Sequence, residues 1–166
     1  MDRATAYDED IYAWSQEQAA ALRRLAQTRR DLPNDLDLEH VAEEIEDVGS
    51  SELRRVESFL ELLLQHLVKL VSAPEAPARR HWAKEIDLQR EVLRHDLKNS
   101  MRQTIDLDRI WRAAKARADA ALDQHGDAIV PGLPERCPFS LDELIAEPFD
   151  VAYALARLRT SPLSDS

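Results

Sequence analysis

The sequence predicts an all-α fold: four main helices in an up-down bundle with one long second helix, then a C-terminal extension carrying one or two short helices. Three observations predict it. Apolar residues recur at spacings of three and four along most of the chain, the period of one helical face. No stretch alternates apolar and polar residues at the period of two that a half-buried strand needs. Only 3 of the 166 residues are glycine, too few for β-hairpin turns or glycine-rich phosphate loops. With 44% hydrophobic and 33% charged residues, the chain is neither disordered nor a membrane protein. Its length suits a single helical domain over residues 1–166, with a core over about 7–149.

The first helix is expected over about 8–28. Asp8, Glu9 and Asp10 suit the positive end of its dipole, and Tyr7, Ile11, Trp14, Ala21, Leu22 and Leu25 form its apolar face, interrupted by Gln18. Arg29 and Arg30 close it, and Pro33-Asn34 breaks the chain. The second helix starts from an N-cap at Asp37. Its stripe reads Val41, Ile45, Val48, Glu52, Val56, Phe59, Leu63, His66, Leu67 and Leu70. The phase is kept across Gly49-Ser50-Ser51, which predicts one helix roughly 50 Å long. After a turn at Pro74 and Pro77, a third helix presents Trp82, Ile86, Gln89, Leu93 and Leu97 and ends around Asn99. Ser100 with Gln103 reads as a capping box for the fourth helix. Leu107, Trp111, Ala114, Ala118, Ala121 and Leu122 form the fourth helix's face, and Gly126 stops it. Ser140 and Glu143 form a second capping box that starts a short helix, and another follows over about 151–159. The 160–166 tail is expected to fray.

The start of the chain carries no apolar run of the kind that directs export. The one cysteine, Cys137, cannot form an internal disulfide. Both point to a cytoplasmic protein. The net charge is −10, but it is unevenly spread. Residues 31–61 hold 11 acids and 2 bases, and residues 79–117 hold 11 bases and 6 acids. Facing helices of opposite sign would complement each other inside the fold. The alternative is a nucleic-acid face made by Arg79, Arg80, Lys84, Arg94, Lys98, Arg102 and Arg109, against which the overall negative charge argues.

Glu43, Glu44 and Asp47, with His40 one turn earlier, are the only candidates for a cation site. Bundle metal sites usually add a Glu-x-x-His pair, which is missing here, so neither a metal nor a cofactor is expected. Glu52 and His66 sit in the apolar stripe itself, about 21 Å apart along one helix. Counting from the turns puts Glu52 level with Trp14, His66 level with Trp82, and Arg90 near Trp111. These six residues form a candidate polar core in which carboxylate, imidazole and guanidinium are matched to indoles. Cys137, beside Arg136 in a proline-rich loop, would be a nucleophile only with a base nearby.

The strings at 7–23, at 36–52 (LDLEHVAEEIEDVGSSE), at 62–70 (LLLQHLVKL), at 79–90 (RRHWAKEIDLQR) and at 137–144 (CPFSLDEL) occur in a definite order. Together they resemble a bacterial all-helical family catalogued as a domain of unknown function, over roughly 7–149. The resemblance implies a compact helical domain and brings no activity with it. These features favour an interaction or regulatory domain that binds a protein, with a homodimer as one form, over an enzyme. The first alternative is a metal-assisted hydrolase using the acidic start of helix 2. The second is nucleic-acid binding through the basic helix 3–4 face.

Overall fold

In the computed structural model, residues 3–29, 31–33 and 35–159 are described; Arg30, Asn34 and the 160–166 tail lie outside them. The described residues form α1 (Arg3–Glu9), α2 (Ile11–Thr28), α3 (Leu38–Ser72), α4 (Arg79–Asp96), a 3₁₀ turn (Asn99–Met101), α5 (Leu107–Asp123), α6 (Leu141–Ile145) and α7 (Val151–Arg159). No strand occurs among them. The four expected main helices are α2 to α5, and the extension carries α6 and α7.

Two starts differ from expectation, and Asp10 is involved in both. The first helix is split, because Asp10 leaves helical geometry (φ −148°) to cap α2, accepting from the Ala13 N–H at 2.9 Å. Ser100 begins no helix. Its Oγ donates to both carboxylate oxygens of Asp10, at 2.9 and 2.8 Å. The fourth helix is capped instead by Asp106, which accepts from the Arg109 N–H at 2.9 Å. An acceptor side chain at the N-cap satisfies a first-turn N–H that the helix leaves open. Elsewhere the capping chemistry is as read. Asp37 accepts from the His40 N–H at 3.2 Å, Gly126 ends α5 with φ +79°, and Ser140 and Glu143 form a reciprocal capping box.

The chain divides into two compact units that share α3. Unit 1 holds 1–56 and 97–104. In it α2 runs antiparallel to the first half of α3: Arg23 pairs with Glu39 at 3.2 Å and Glu46 at 2.6 Å, while Gly49 lies against Ser15 and Tyr12. A Cβ at Gly49 would sit 2.0 Å from Ser15 Oγ and 3.3 Å from Tyr12 Cα, so glycine lets the two helices approach within a methyl group's breadth. α3 continues unbroken through it.

Unit 2 holds 57–96 and 105–166. His66 meets Gln89, and Lys69 meets Trp82, so α4 returns antiparallel to α3. Glu57 pairs with Arg109 and Glu61 with Arg117, so α5 runs parallel to α3. The core is large and apolar: Leu60, Leu63, Leu64, Leu67, Ile86, Leu93, Ile110, Trp111, Leu122 and Leu144 are each at most 1% exposed. The two ion pairs, at 2.6 and 2.5 Å, join acids of α3 to bases of α5. Opposite charges therefore complement each other within the fold, as the charge distribution suggested.

Candidate functional site

In unit 1, the contact between α2 and α3 is built from small residues. Ser15, Ala19, Ala42 and Gly49 are buried there, together with Leu38. The larger apolar residues lie elsewhere on both helices. Ile11, Trp14, Ala21 and Leu25 on α2 are half-buried, as is Ile45 on α3, while Val41 and Val48 are 42% and 46% exposed. At 100° per residue, each stripe sits about a quarter turn from the hairpin contact, in the same rotational sense on both helices. In an antiparallel pair, that places both stripes on one side. The hairpin thus carries an apolar face, interrupted by Gln18 and Glu52, with Trp14 near its centre. The Trp14 ring meets Tyr7 edge-on, with centroids 4.8 Å apart.

Val41, Val48 and Glu52, expected in the core, lie outside it. Glu52 is half-buried, its side chain 38% exposed and 3.6 Å from Arg55. Its neighbour Glu57 is more enclosed, at 19%, and holds Arg109. The stripe that includes Glu52 therefore belongs to the outward face of the hairpin. Trp14 takes Tyr7 as its ring partner.

The other polar candidates lie in unit 2. His66 is buried, with Nδ1 3.3 Å from Gln89 Oε1, and Gln89 Nε2 donates toward Glu85 at 3.5 Å. Burial pushes the His66 pKa down; its hydrogen bond to Gln89 opposes this. Trp82 lies nearer the turn than His66 and faces Lys69, whose Nζ is 5.7 Å from the ring centroid. Arg90 is 4% exposed. It donates to Leu144 O at 2.9 Å and to Ala146 O, and its guanidinium lies 4.3 Å from the Phe149 ring centroid. Its partner ring is therefore Phe149 of the extension. Trp111 instead has Lys115 at 5.3 Å and donates its indole N–H to Pro134 O at 2.8 Å. The six candidates thus separate into Trp14 and Glu52 in unit 1 and His66, Trp82, Arg90 and Trp111 in unit 2, each with its own partner.

Glu43, Glu44 and Asp47 are exposed, and His40 is occupied by Asp37, which raises the imidazole pKa. Among the described residues, no group of three or more His, Cys, Asp or Glu could hold a metal ion. Arg136 lies 3.8 Å from Asp108, and burial pushes the Cys137 thiol up to about 11, away from the thiolate that a nucleophile needs. The thiol is therefore protonated at neutral pH. Of the basic residues, Arg94 pairs with Glu147 and Arg109 with Glu57. No helix among the described residues is long and apolar enough to cross a membrane.

His66 gives a pH prediction. A free imidazole titrates near 6.5, and burial holds the folded value below that. Between the two values the unfolded chain binds more protons, so stability falls as pH drops through this window. His40, raised by Asp37, contributes in the opposite direction. The readout is therefore a comparison: from pH 7 to 5 the wild type should lose more stability than His66→Gln in urea titrations. Identical slopes would show that His66 is not held neutral by burial.

A crystal structure of an α-helical protein of unknown function from Rhodospirillum rubrum matches with a TM-score of 0.82 and 42% identity, covering 92% of this chain and 96% of that one. No protein of curated function matches. The model of a family described as a domain of unknown function, DUF29, matches residues 6–150, and the chain belongs to that family.

Proposed function

We propose that this protein is a helical interaction domain of the bacterial cytoplasm that acts by binding, with the α2–α3 hairpin face as its contact surface and a second copy of the chain as the occupant. The apolar hairpin face is the observation that carries this reading. A two-helix hairpin with one partly open apolar side has the form of half a four-helix bundle. From Ile11 to Leu25 of α2 the face runs about 21 Å and is two helices wide, which suits the lower end of specific interfaces. The charges at its edge are self-complementary. Arg24 on α2 and Glu44 on α3 flank the stripes, and neither has an ion-pair partner among the described residues. A two-fold axis parallel to the helices would keep each residue at its own level. Since Ser15 lies opposite Gly49, Arg24 would then stand between Asp37 and Glu44 of the other copy, twice over by symmetry.

Sedimentation equilibrium over a wide concentration range tests this. The wild type should approach twice 18.9 kDa, and Val41→Glu with Val48→Glu should give a monomer of unchanged helicity. Arg24→Glu should weaken association, and adding Glu44→Arg should restore it. A wild-type chain that stays monomeric throughout would overturn the pairing.

A further inference from the structure

Unit 2 contains a cleft of about 460 Å³ beside the turn between α3 and α4. Its walls are apolar: Trp82, Ala76, Pro77 and Ala78 on one side, Ala121 and Leu122 of α5 on the other. Gln124, His125 and Asp127, just beyond the end of α5, add polar groups to its lining. A single cation, Lys69, enters this apolar space, its ammonium 5.7 Å from the centroid of Trp82. No carboxylate or carbonyl among the described residues pairs with that ammonium. Burial lowers its pKa, and no nearby carboxylate raises it again. A partly exposed ammonium without a counter-ion, over an indole and facing apolar walls, is open to an anion that enters the cleft.

We propose that this cleft binds a small monocarboxylate with an apolar body, the carboxylate on Lys69 and the body against Trp82. The volume falls within the range of small-molecule sites, which are mostly apolar with a few placed polar groups. A single ammonium offers one charge, and Asp127 in the lining disfavours a second negative charge on the ligand, so the site suits a carboxylate over a phosphate. Trp82, Pro77 and Leu122 offer the flat, dry surfaces that an aromatic or branched body would cover. The inference stands apart from the hairpin pairing, because every residue it uses lies in unit 2.

The experiment uses the full chain labelled with ¹⁵N at its tryptophans, whose three indole N–H signals are assigned by single Trp→Phe variants. Phenylacetate is titrated in, with phenylacetamide as its neutral counterpart and phenyl phosphate as the dianion. Phenylacetate should move the Trp82 signal at millimolar concentration or below. The amide should bind about tenfold more weakly or worse, the scale of a lost hydrogen bond to a charged group. Lys69→Met, which keeps a straight chain in the helix, should show a similar loss for phenylacetate and none for the amide. Equal binding of acid and amide, tighter binding of the phosphate, or an unmoved Trp82 signal would each overturn the assignment. The acid–amide comparison is made on the wild type, so it holds even if Lys69→Met does not fold.

Discussion

Arg90→Ala should lower stability by about 3 kcal/mol and loosen the C-terminal extension. The last carbonyls of a helix have no partner within it. In α6 the carbonyls of Leu144 and of the capping residue Ala146 both accept from Arg90. Truncation leaves the buried Leu144 carbonyl without that donor, on the order of 1–3 kcal/mol for a fully desolvated group, while the carbonyl of exposed Ala146 can turn to water. It also removes the cation from the Phe149 ring. Arg94 and Glu147 remain paired across the same elements, which keeps the loss below the sum of the parts. Arg90→Lys should recover only part of it, because one ammonium cannot reach both carbonyls in the fork geometry of a guanidinium. Urea unfolding followed by circular dichroism gives the stability. Limited trypsin digestion gives the position, with cleavage after Arg157 or Arg159 appearing first in the variant. An unfolding midpoint within error of wild type would mean that the extension is held by something other than Arg90.

Trp111→Ala should cost more, about 3–5 kcal/mol, the usual range for deleting a large buried ring. Trp111 is 0% exposed and packs in the same core as Leu60, Leu64, Ile110 and Ala114. The next residues on that face of α5, Ala114 and Ala118, are small and have little bulk with which to fill the space. The indole N–H contributes less than the ring. Pro134 O also accepts from Lys115 Nζ at 2.8 Å, so that carbonyl keeps a donor when the indole is gone. Trp111→Phe should therefore cost clearly less than Trp111→Ala, and chemical denaturation of the pair separates packing from hydrogen bonding. Equal losses for Phe and Ala would assign the effect to the hydrogen bond.

The long periodic segments were legible because their phase is set locally. α3 keeps one register through Gly49, and the glycine at the end of α5 and the Ser140–Glu143 box depend only on neighbouring backbone groups. The use of the hairpin faces was not legible, for a physical reason. α2 and α3 each carry two apolar stripes a quarter turn apart, one of small residues and one of large. Hydrophobicity favours Trp14, Val41 and Val48 as core, but the close approach at Gly49 selects Ser15, Ala19 and Ala42 instead. Arg90 illustrates a second limit. Its residue type pointed to a guanidinium packed on a ring, but Phe149 and the acceptor carbonyls lie more than fifty residues away, beyond the reach of counting from a turn. The Lys69 cleft was missed because its walls come from α4 and α5 as well as α3. Its one available signal was a lysine among the apolar residues near the end of α3.

The 35 residues of α3 form one uninterrupted hydrogen-bond ladder, yet the packing on its two halves differs in kind. The first half rests on small residues in a narrow contact, and the second is enclosed by leucines, Ile86 and Trp111. Local opening costs the contacts that must be broken. Amide protons along this single helix should therefore be graded in how long they resist exchange with solvent. Those before Gly49 are released by fraying from the Leu38 end, while those after Leu60 are released only when unit 2 unfolds. A continuous helix need not be a uniformly stable one, and α3 joins weakly and strongly protected backbone on the same rod.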